Sequence, residues 1–418
     1  MHKMHKLLTL VAVLALLGSA LAQTITFATW GGTEDLDIYE ELIADFEAAN
    51  PGVTVTVNHI PSAGDYEQNL ATLIAAGNAP DVFFINNISM PGFAAQGAFM
   101  SLEDRAAEFD LDDFFPGHLD AFRYEGELIV VPRDISNLVL FYNADMFREA
   151  GLEEPGDGWT REDFLDAARE LTIDQDGDGN PDQFGFGFST FWLFWQPWVW
   201  SAGGSFFAED HSAFTLNEGA ALEGLEFYAG LRCDENVAPT AAQAADRAAA
   251  SMFADGDAAM IVDGRWRVAP LNASEAVAFE WDVVQFPAGP AGSVVDADGS
   301  GWGISSTSSN PDLAWSFIEH VASPEAMTRF TEAGLIIPAR RSVGITEAFV
   351  QPDVPPANDM AFIEANETAL PTETFEGWGE FVSLLNEGMS EVWLCNASVA
   401  EGLGMVEDDI DDLLAEYR

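Results

Sequence analysis

Residues 24–57 read TITFATWGGTEDLDIYEELIADFEAANPGVTVTV. Thr24–Thr29 is rich in β-branched and aromatic residues and reads as a strand. Apolar side chains then fall at Leu36, Ile38, Leu42, Ile43 and Phe46, the spacing of one helix face. Asn50-Pro51-Gly52 stops that helix at Ala49. Val53–Val57 alternates apolar and polar residues as a half-buried strand does. Strand, helix and strand in succession predict a parallel sheet with helices on its faces.

The same alternation extends outward. Tyr66–Ala76 reads as a helix and Asp81–Ile85 as a buried strand. A second set follows, with strands at Asn137–Tyr142, Ala258–Val262 and Trp281–Phe286 and a helix at Arg161–Leu171. A Gly-, Ser-, Asp- and Pro-rich stretch, Gly289–Gly303, interrupts the order. The strand-like Trp302–Ser305 comes next, then helices at Asp312–Val321 and Pro324–Ala333. The tail from Trp378 to Arg418 is helical, with a polar break near Asn396-Ala397-Ser398. No repeat and no long low-complexity linker is present. Two α/β lobes with several crossings fit this order better than two beads on one tether.

The first residues read as a leader. His2, Lys3, His5 and Lys6 precede an apolar run, Leu7–Leu17, and Ala20-Leu21-Ala22 fits the small-x-small cleavage rule. Cleavage after Ala22 would leave Gln23 first. No Cys follows the run, so the expectation is an exported soluble protein, periplasmic or extracellular, and not a lipoprotein. The formal charge is −54, from 16 basic and 70 acidic residues. Such a chain repels nucleic acid and anionic membranes. It also repels itself unless salt screens it, which points to an ion-rich habitat. The chain holds 2 Cys, Cys233 and Cys395. An exported chain with a single pair usually oxidises it, so a disulfide is expected.

Two segments have distinctive chemistry. Phe191–Trp200, FWLFWQPWVW, offers flat apolar faces that suit both a packed core and the C–H face of a sugar ring. Asp174-Gln175-Asp176-Gly177-Asp178-Gly179-Asn180-Pro181-Asp182 has oxygen ligands at alternate positions and a Gly at the sharp turn. Asp174, Asp176, Asp178, the carbonyl of Asn180 and Asp182 match the start of a calcium loop. The bidentate Glu expected at the twelfth position is replaced by Gly185. That points to a structural Ca2+ rather than a sensor, with a metal-free solvated turn as the other reading.

Six segments in order carry a family resemblance: ITFATWGG (25–32), FEAANPGVTV (46–55), AAGNAPDVFF (75–84), VPRDISNLVLFYNADMFREAGL (131–152), FADGDAAMIVDGRWRV (253–268) and GSGWGIS (299–305). Together they resemble the extracellular solute-binding proteins of carbohydrate ABC importers, the family 1 group that includes maltose-binding protein. The resemblance implies a two-lobed, periplasmic-binding-protein-like α/β fold, each lobe a mostly parallel sheet flanked by helices. Residues 23–133 and 297–335 would form the first lobe, 137–295 and 340–418 the second. Hinge crossings fall near 133–137, 295–300 and 335–340. The ligand cleft lies between the lobes.

Carried over by position, the resemblance makes Trp30, Asp81, Trp192, Trp195, Trp266, Trp302, Arg340 and Trp378 candidate substrate-binding residues, with Arg341 beside Arg340. It implies a monomer that binds a neutral di- or oligosaccharide, closes on it and delivers it to the membrane permease. A secreted glycoside hydrolase is the rival class. That chemistry needs two carboxylates about 5–10 Å apart across the scissile bond. Nothing singles such a pair out, and no G-x-S-x-G, H-E-x-x-H or Walker motif appears. A glycerol phosphate is the alternative ligand, and it would require a basic pocket.

Overall fold

The computed structural model describes residues 23–417, apart from 108, 115, 209–211, 245–246, 345 and 352. The expected leader, residues 1–22, lies outside the described residues.

The chain starts with β1 (Gln23–Thr29), α1 (Thr33–Ala49), β2 (Val53–His59), α2 (Ala63–Ala75) and β3 (Val82–Asn86). β1 lies between β2 and β3 and runs parallel to both, with Ile25 opposite Val55 and Phe27 opposite Val82. The apolar spacing of α1 becomes its buried face: Tyr39, Leu42, Ile43 and Phe46. Each of these large side chains contributes about 1.5–3 kcal/mol by leaving water. Asn50 ends the helix, its backbone and side-chain N–H groups both donating to the Phe46 carbonyl. Glu47 then accepts from the Val55 N–H at 2.8 Å, which fixes the helix against the next strand.

The chain crosses out of this sheet through β4 (Val130–Pro132) and β5 (Asp134–Ile135) into β6 (Leu138–Asn143). The second lobe adds α3 (Arg161–Glu170), β7 (Phe184–Phe186), α4 (Trp192–Ala202), α5 (Gly219–Cys233), β8 (Ala258–Gly264) and β9 (Trp281–Val284). It then returns through β10 (Ser300–Ile304), α6 (Pro311–Val321) and α7 (Pro324–Glu332), crosses again at β11 (Ile337–Pro338), and ends in helices that include α8 (Trp378–Trp393).

The first sheet has the order β2-β1-β3-β10-β4 and the second β9-β6-β8-β7. Every residue of β6 and β8 is buried, as expected for strands covered on both faces. The sheets are less parallel than expected. Parallel pairing covers β1 with β2 and β3, and β7 with β8. β10 runs against β3 and β4, and β6 runs against β8 and β9. The reason is topological: β6 and β10 are the strands by which the chain enters each lobe from the other.

Two large hydrophobic cores result, one from Ile25 to Val131 plus Trp302 to Val343, the other from Ile135 to Val295 plus Ile337 to Leu414, with Phe184, Met252 and Ala258 forming a small cluster of their own. Ala339 and Val343 belong to the first core, whereas the resemblance placed 340 onward in the second lobe; the chain is back in the second core at Phe349. Between the cores the crossings form a narrow ribbon. β11 pairs with β5, Ser136 pairs with Asp298, and Asp296 pairs with Leu370. Cys233 and Cys395 are bonded to each other, tying the end of α5 to the segment after α8. No helix among the described residues is long and apolar enough to cross a membrane.

Candidate ligand cleft

The ribbon places the strand ends. Asn87, just past β3, accepts from the Gly299 N–H and donates to Asp298 at 3.0 Å. In the second lobe Leu138 follows the ribbon directly and lies opposite Gly264, the last residue of β8. The carboxyl ends of β1 and β3 and the carboxyl end of β8 therefore border the same interlobe space, where α/β sheets present their loops to ligands.

On the first lobe that border carries Trp30, half-buried, with its ring centroid 4.4 Å from Phe84 and 5.1 Å from Tyr66. Gly31 follows at φ 133°, where a Cβ would stand 2.9 Å from the Asp35 Cγ. The chain can turn into α1 there only without a side chain. Glu67 of α2 accepts from the Ser89 hydroxyl at 2.7 Å, and burial raises its pKa. No motif marks Glu67. Its signal is the environment: a carboxyl held partly desolvated next to a cleft.

On the second lobe, Asp263-Gly264-Arg265-Trp266-Arg267 divides its side chains. Arg265 turns inward onto Asp359, with Phe349 4.6 Å away. Arg267 pairs with the buried Asp263 at 2.8 Å. Trp266 stays half-buried at the edge of the core. Its ring lies over Gly264, where a Cβ would fall 2.2 Å from the ring carbons. That glycine is required for the ring to lie down.

The lobes already touch beside the cleft. Tyr124 donates to Glu376 at 2.7 Å, and that bond, with burial, pushes the Tyr124 pKa up to about 12. Gly334 of the first lobe stands against Val268 of the second.

Other candidates have different places. Asp81 precedes β3 beside Thr26, at the end of the sheet away from Trp30. It accepts from the Thr26 N–H and hydroxyl, both at 2.9 Å, and from Ser308 at 2.6 Å. It closes the strand start rather than meeting the cleft. Trp302 is fully buried in the first core and donates to the Tyr39 hydroxyl at 3.1 Å. Trp195 is buried in the second core against Phe206. Trp192 and Trp378 are buried there too, edge to face at 5.1 Å, beside the exposed Phe191. Arg340 is buried, pairs with Asp113 at 2.9 Å and donates to the Ala322 carbonyl. Arg341 donates to the Asp112 carbonyl. The structure thus leaves Trp30 and Trp266 as the half-exposed rings at the strand ends.

The acidic loop lies on the far side of α3, between it and β7. Asp174, Asp176 and Asp182 each bring a carboxylate oxygen within 4.8 Å of the others. Asp178 does not join them; its oxygen accepts from the backbone and side chain of Asn180 instead.

A profile of the bacterial extracellular solute-binding proteins matches residues 30–328. A binding protein of Brucella abortus (strain 2308) is 24% identical over 366 residues, covering 85% of this chain and 84% of its own. The sn-glycerol-3-phosphate-binding periplasmic protein UgpB of Escherichia coli (strain K12) is 33% identical over 172 residues, 38% of each chain. An ABC substrate-binding protein from Listeria monocytogenes, solved in complex with cycloalternan, superposes with a TM-score of 0.86. It is 25% identical, over 94% of this chain and 99% of that one. Two lobes, a hinge ribbon and a match over most of the sequence agree: the chain belongs to the bacterial extracellular solute-binding proteins, the solute-capturing components of ABC transporters.

Proposed function

We propose that this protein captures a neutral di- or oligosaccharide between its lobes outside the cytoplasmic membrane and hands it to an ABC permease. It does so as a soluble monomer released by cleavage after Ala22, and it performs no chemistry on the sugar. The observation that carries the reading is the pair of half-buried rings, Trp30 and Trp266, one from each lobe, at strand ends that border one cleft. An aromatic face covers the C–H face of a sugar, and Glu67 and Ser89 supply a polar rim for hydroxyls.

The alternative of a glycerol phosphate meets an electrostatic objection. A phosphate needs free cations or a cradle of backbone N–H groups. Arg133, Arg265, Arg267 and Arg340 are each already paired with carboxylates. The deciding experiment is a thermal-shift panel of maltotriose, cycloalternan and sn-glycerol 3-phosphate. A sugar at 100 times its Kd is expected to add about 2.7 kcal/mol of stability and to be recovered intact. Stabilisation by the phosphate alone, or sugar cleavage in proportion to protein, overturns the reading.

Trp266 acts as a stacking platform in this proposal. Trp266→Ala is expected to weaken sugar binding by about 2 kcal/mol, roughly thirty-fold in Kd, while the unliganded protein melts near the wild type. Gly264→Ala is expected to weaken binding as well, because its Cβ displaces the ring. A melting temperature that falls sharply with unchanged affinity would assign Trp266 to the core.

We further propose that Asp174, Asp176 and Asp182 hold one Ca2+ that pins the loop after α3. A hard cation takes such oxygen ligands, and it offsets the repulsion of three exposed carboxylates drawn together. Chelation with EDTA is expected to lower the melting temperature of the wild type and to leave Asp176→Ala unchanged. Equal melting with and without EDTA in the wild type refutes it.

A further inference from the structure

Asp296 stands in the hinge ribbon, paired through its backbone with Leu370. It is 1% exposed, and no well-aligned hydrogen bond reaches either carboxyl oxygen; among the described residues the backbone N–H groups of Asp296 and Leu138 are the only donors that favour its charge. Two residues on along the same extended segment, Asp298 is also buried, but its oxygens are engaged: Thr372 donates at 2.6 Å and Asn87 at 3.0 Å. An unpartnered carboxylate in the interior is strongly disfavoured, whereas the neutral acid is tolerated.

The groups around it do not supply a counter-charge. On its own segment the ionisable neighbour is Asp298, which repels a second negative charge. Just before β5, Arg133 is committed to Asp134 at 2.6 Å and to Asp35 at 3.2 Å. Asn137 and Leu138, at the start of β6, carry no charge. On the other side Leu370, Pro371 and Thr372 carry none either, and Glu373 is held by Ser205 at 2.9 Å. Burial first, and Asp298 second, raise the Asp296 pKa well above the carboxylate range, while the backbone N–H groups of Asp296 and Leu138 pull less strongly the other way.

We propose that Asp296 is a proton-holding residue of the hinge, neutral while the lobes stand together and ionised when they part. Bending the ribbon separates the 296–298 segment from its neighbours and admits water to the carboxyl. The proton then passes to solvent, and hydration stabilises the carboxylate. The closed form therefore binds one more proton than the open form between the two pKa values. Linkage fixes the sign: the closed population is full below the open-form pKa, falls as pH rises through the window, and levels off above the closed-form pKa. Lobe closure is thus tied to proton uptake at a residue that contacts no ligand.

The test is small-angle scattering of the unliganded mature chain from pH 4 to 9 in high salt, which screens the general acidity. The wild-type radius of gyration is expected to grow as pH rises. Asp296→Asn, an uncharged isostere of the neutral acid, is expected to keep the compact value throughout, while Asp298→Asn keeps a pH response. A flat wild-type profile, or an Asp296→Asn profile that follows the wild type, overturns the proposal. The carboxyl carbon resonance of Asp296 gives a second readout in the unmodified protein. Titration above the ordinary Asp range supports the proposal, and titration near about 4 overturns it. Neither measurement depends on which solute fills the cleft.

Discussion

Reducing the Cys233–Cys395 bond is expected to cost roughly 5 kcal/mol of stability in the second lobe. The two residues are 162 positions apart, so the bond closes a long loop and removes much of the unfolded chain's freedom. The native arrangement does not rest on the bond alone. Arg232, next to Cys233, donates to the Trp393 carbonyl at 3.0 Å and lies 3.9 Å over the Phe188 ring. Both ends of the loop stay in place in the folded state, so the loss falls mainly on the unfolded state. Cys233 ends α5 and Cys395 follows α8, both helices of the second core, so the first lobe gains nothing from the bond. In the double variant Cys233→Ser, Cys395→Ser, calorimetry is expected to show the second-lobe transition shifted down by many degrees, with affinity for the bound solute retained in the cold. A transition within one or two degrees of the wild type would show that the bond holds little.

The crossing unit at residues 24–57 was legible because its signals are local: apolar period, stop residues, strand alternation. Asp81 and Trp302 were not, for a geometric reason. Both lie on or next to sheet strands, but sequence does not say which end of a strand meets the cleft or which way a ring points. Register does: Phe27 opposite Val82 puts Asp81 beside Thr26, and Trp302 opposite Phe84 puts its ring in the core. Arg340 was ambiguous because its partner, Asp113, is 227 residues away. The aromatic run kept two readings open because core and sugar face ask for the same ring. Packing decided it: Trp195, Trp198 and Trp200 are all buried. Glu67 was invisible because burial, not residue type, distinguishes it from the other acids. The direction of β6 was hidden too, since only the crossing from the other lobe makes it run against β8.

Arg133→Met is expected to destabilise the protein by about 3–5 kcal/mol at pH 7, because it breaks a buried ion pair and leaves its acids behind. Arg133 leaves the first sheet just after β4, at the entrance to the hinge. Its guanidinium lies 4.3 Å from the Phe84 ring and 5.2 Å from that of Phe330, so one cation ties a sheet face to α7. It donates to Asp134 at 2.6 Å, to Asp35 in the first turn of α1 at 3.2 Å, and to the Tyr39 hydroxyl at 3.4 Å. Methionine fills the space with apolar volume but supplies no charge. Burial already raises the Asp134 pKa, and Arg133 is the main force holding it down. Without Arg133 that pKa climbs further, and Asp134 takes up a proton instead of staying ionised. A raised folded-state pKa means stability that is present at low pH and lost as pH rises through it. The defect is therefore expected to shrink on acidification, and Asp134→Asn in the same chain is expected to recover part of it at pH 7, since the amide oxygen can still accept from the Ser300 N–H. Denaturant unfolding of the wild type, Arg133→Met and the double variant at pH 5 and pH 7 measures this. A loss below about 1 kcal/mol, or one equal at both pH values, would mean that Phe84 and Phe330, not the carboxylates, keep Arg133 in the hinge.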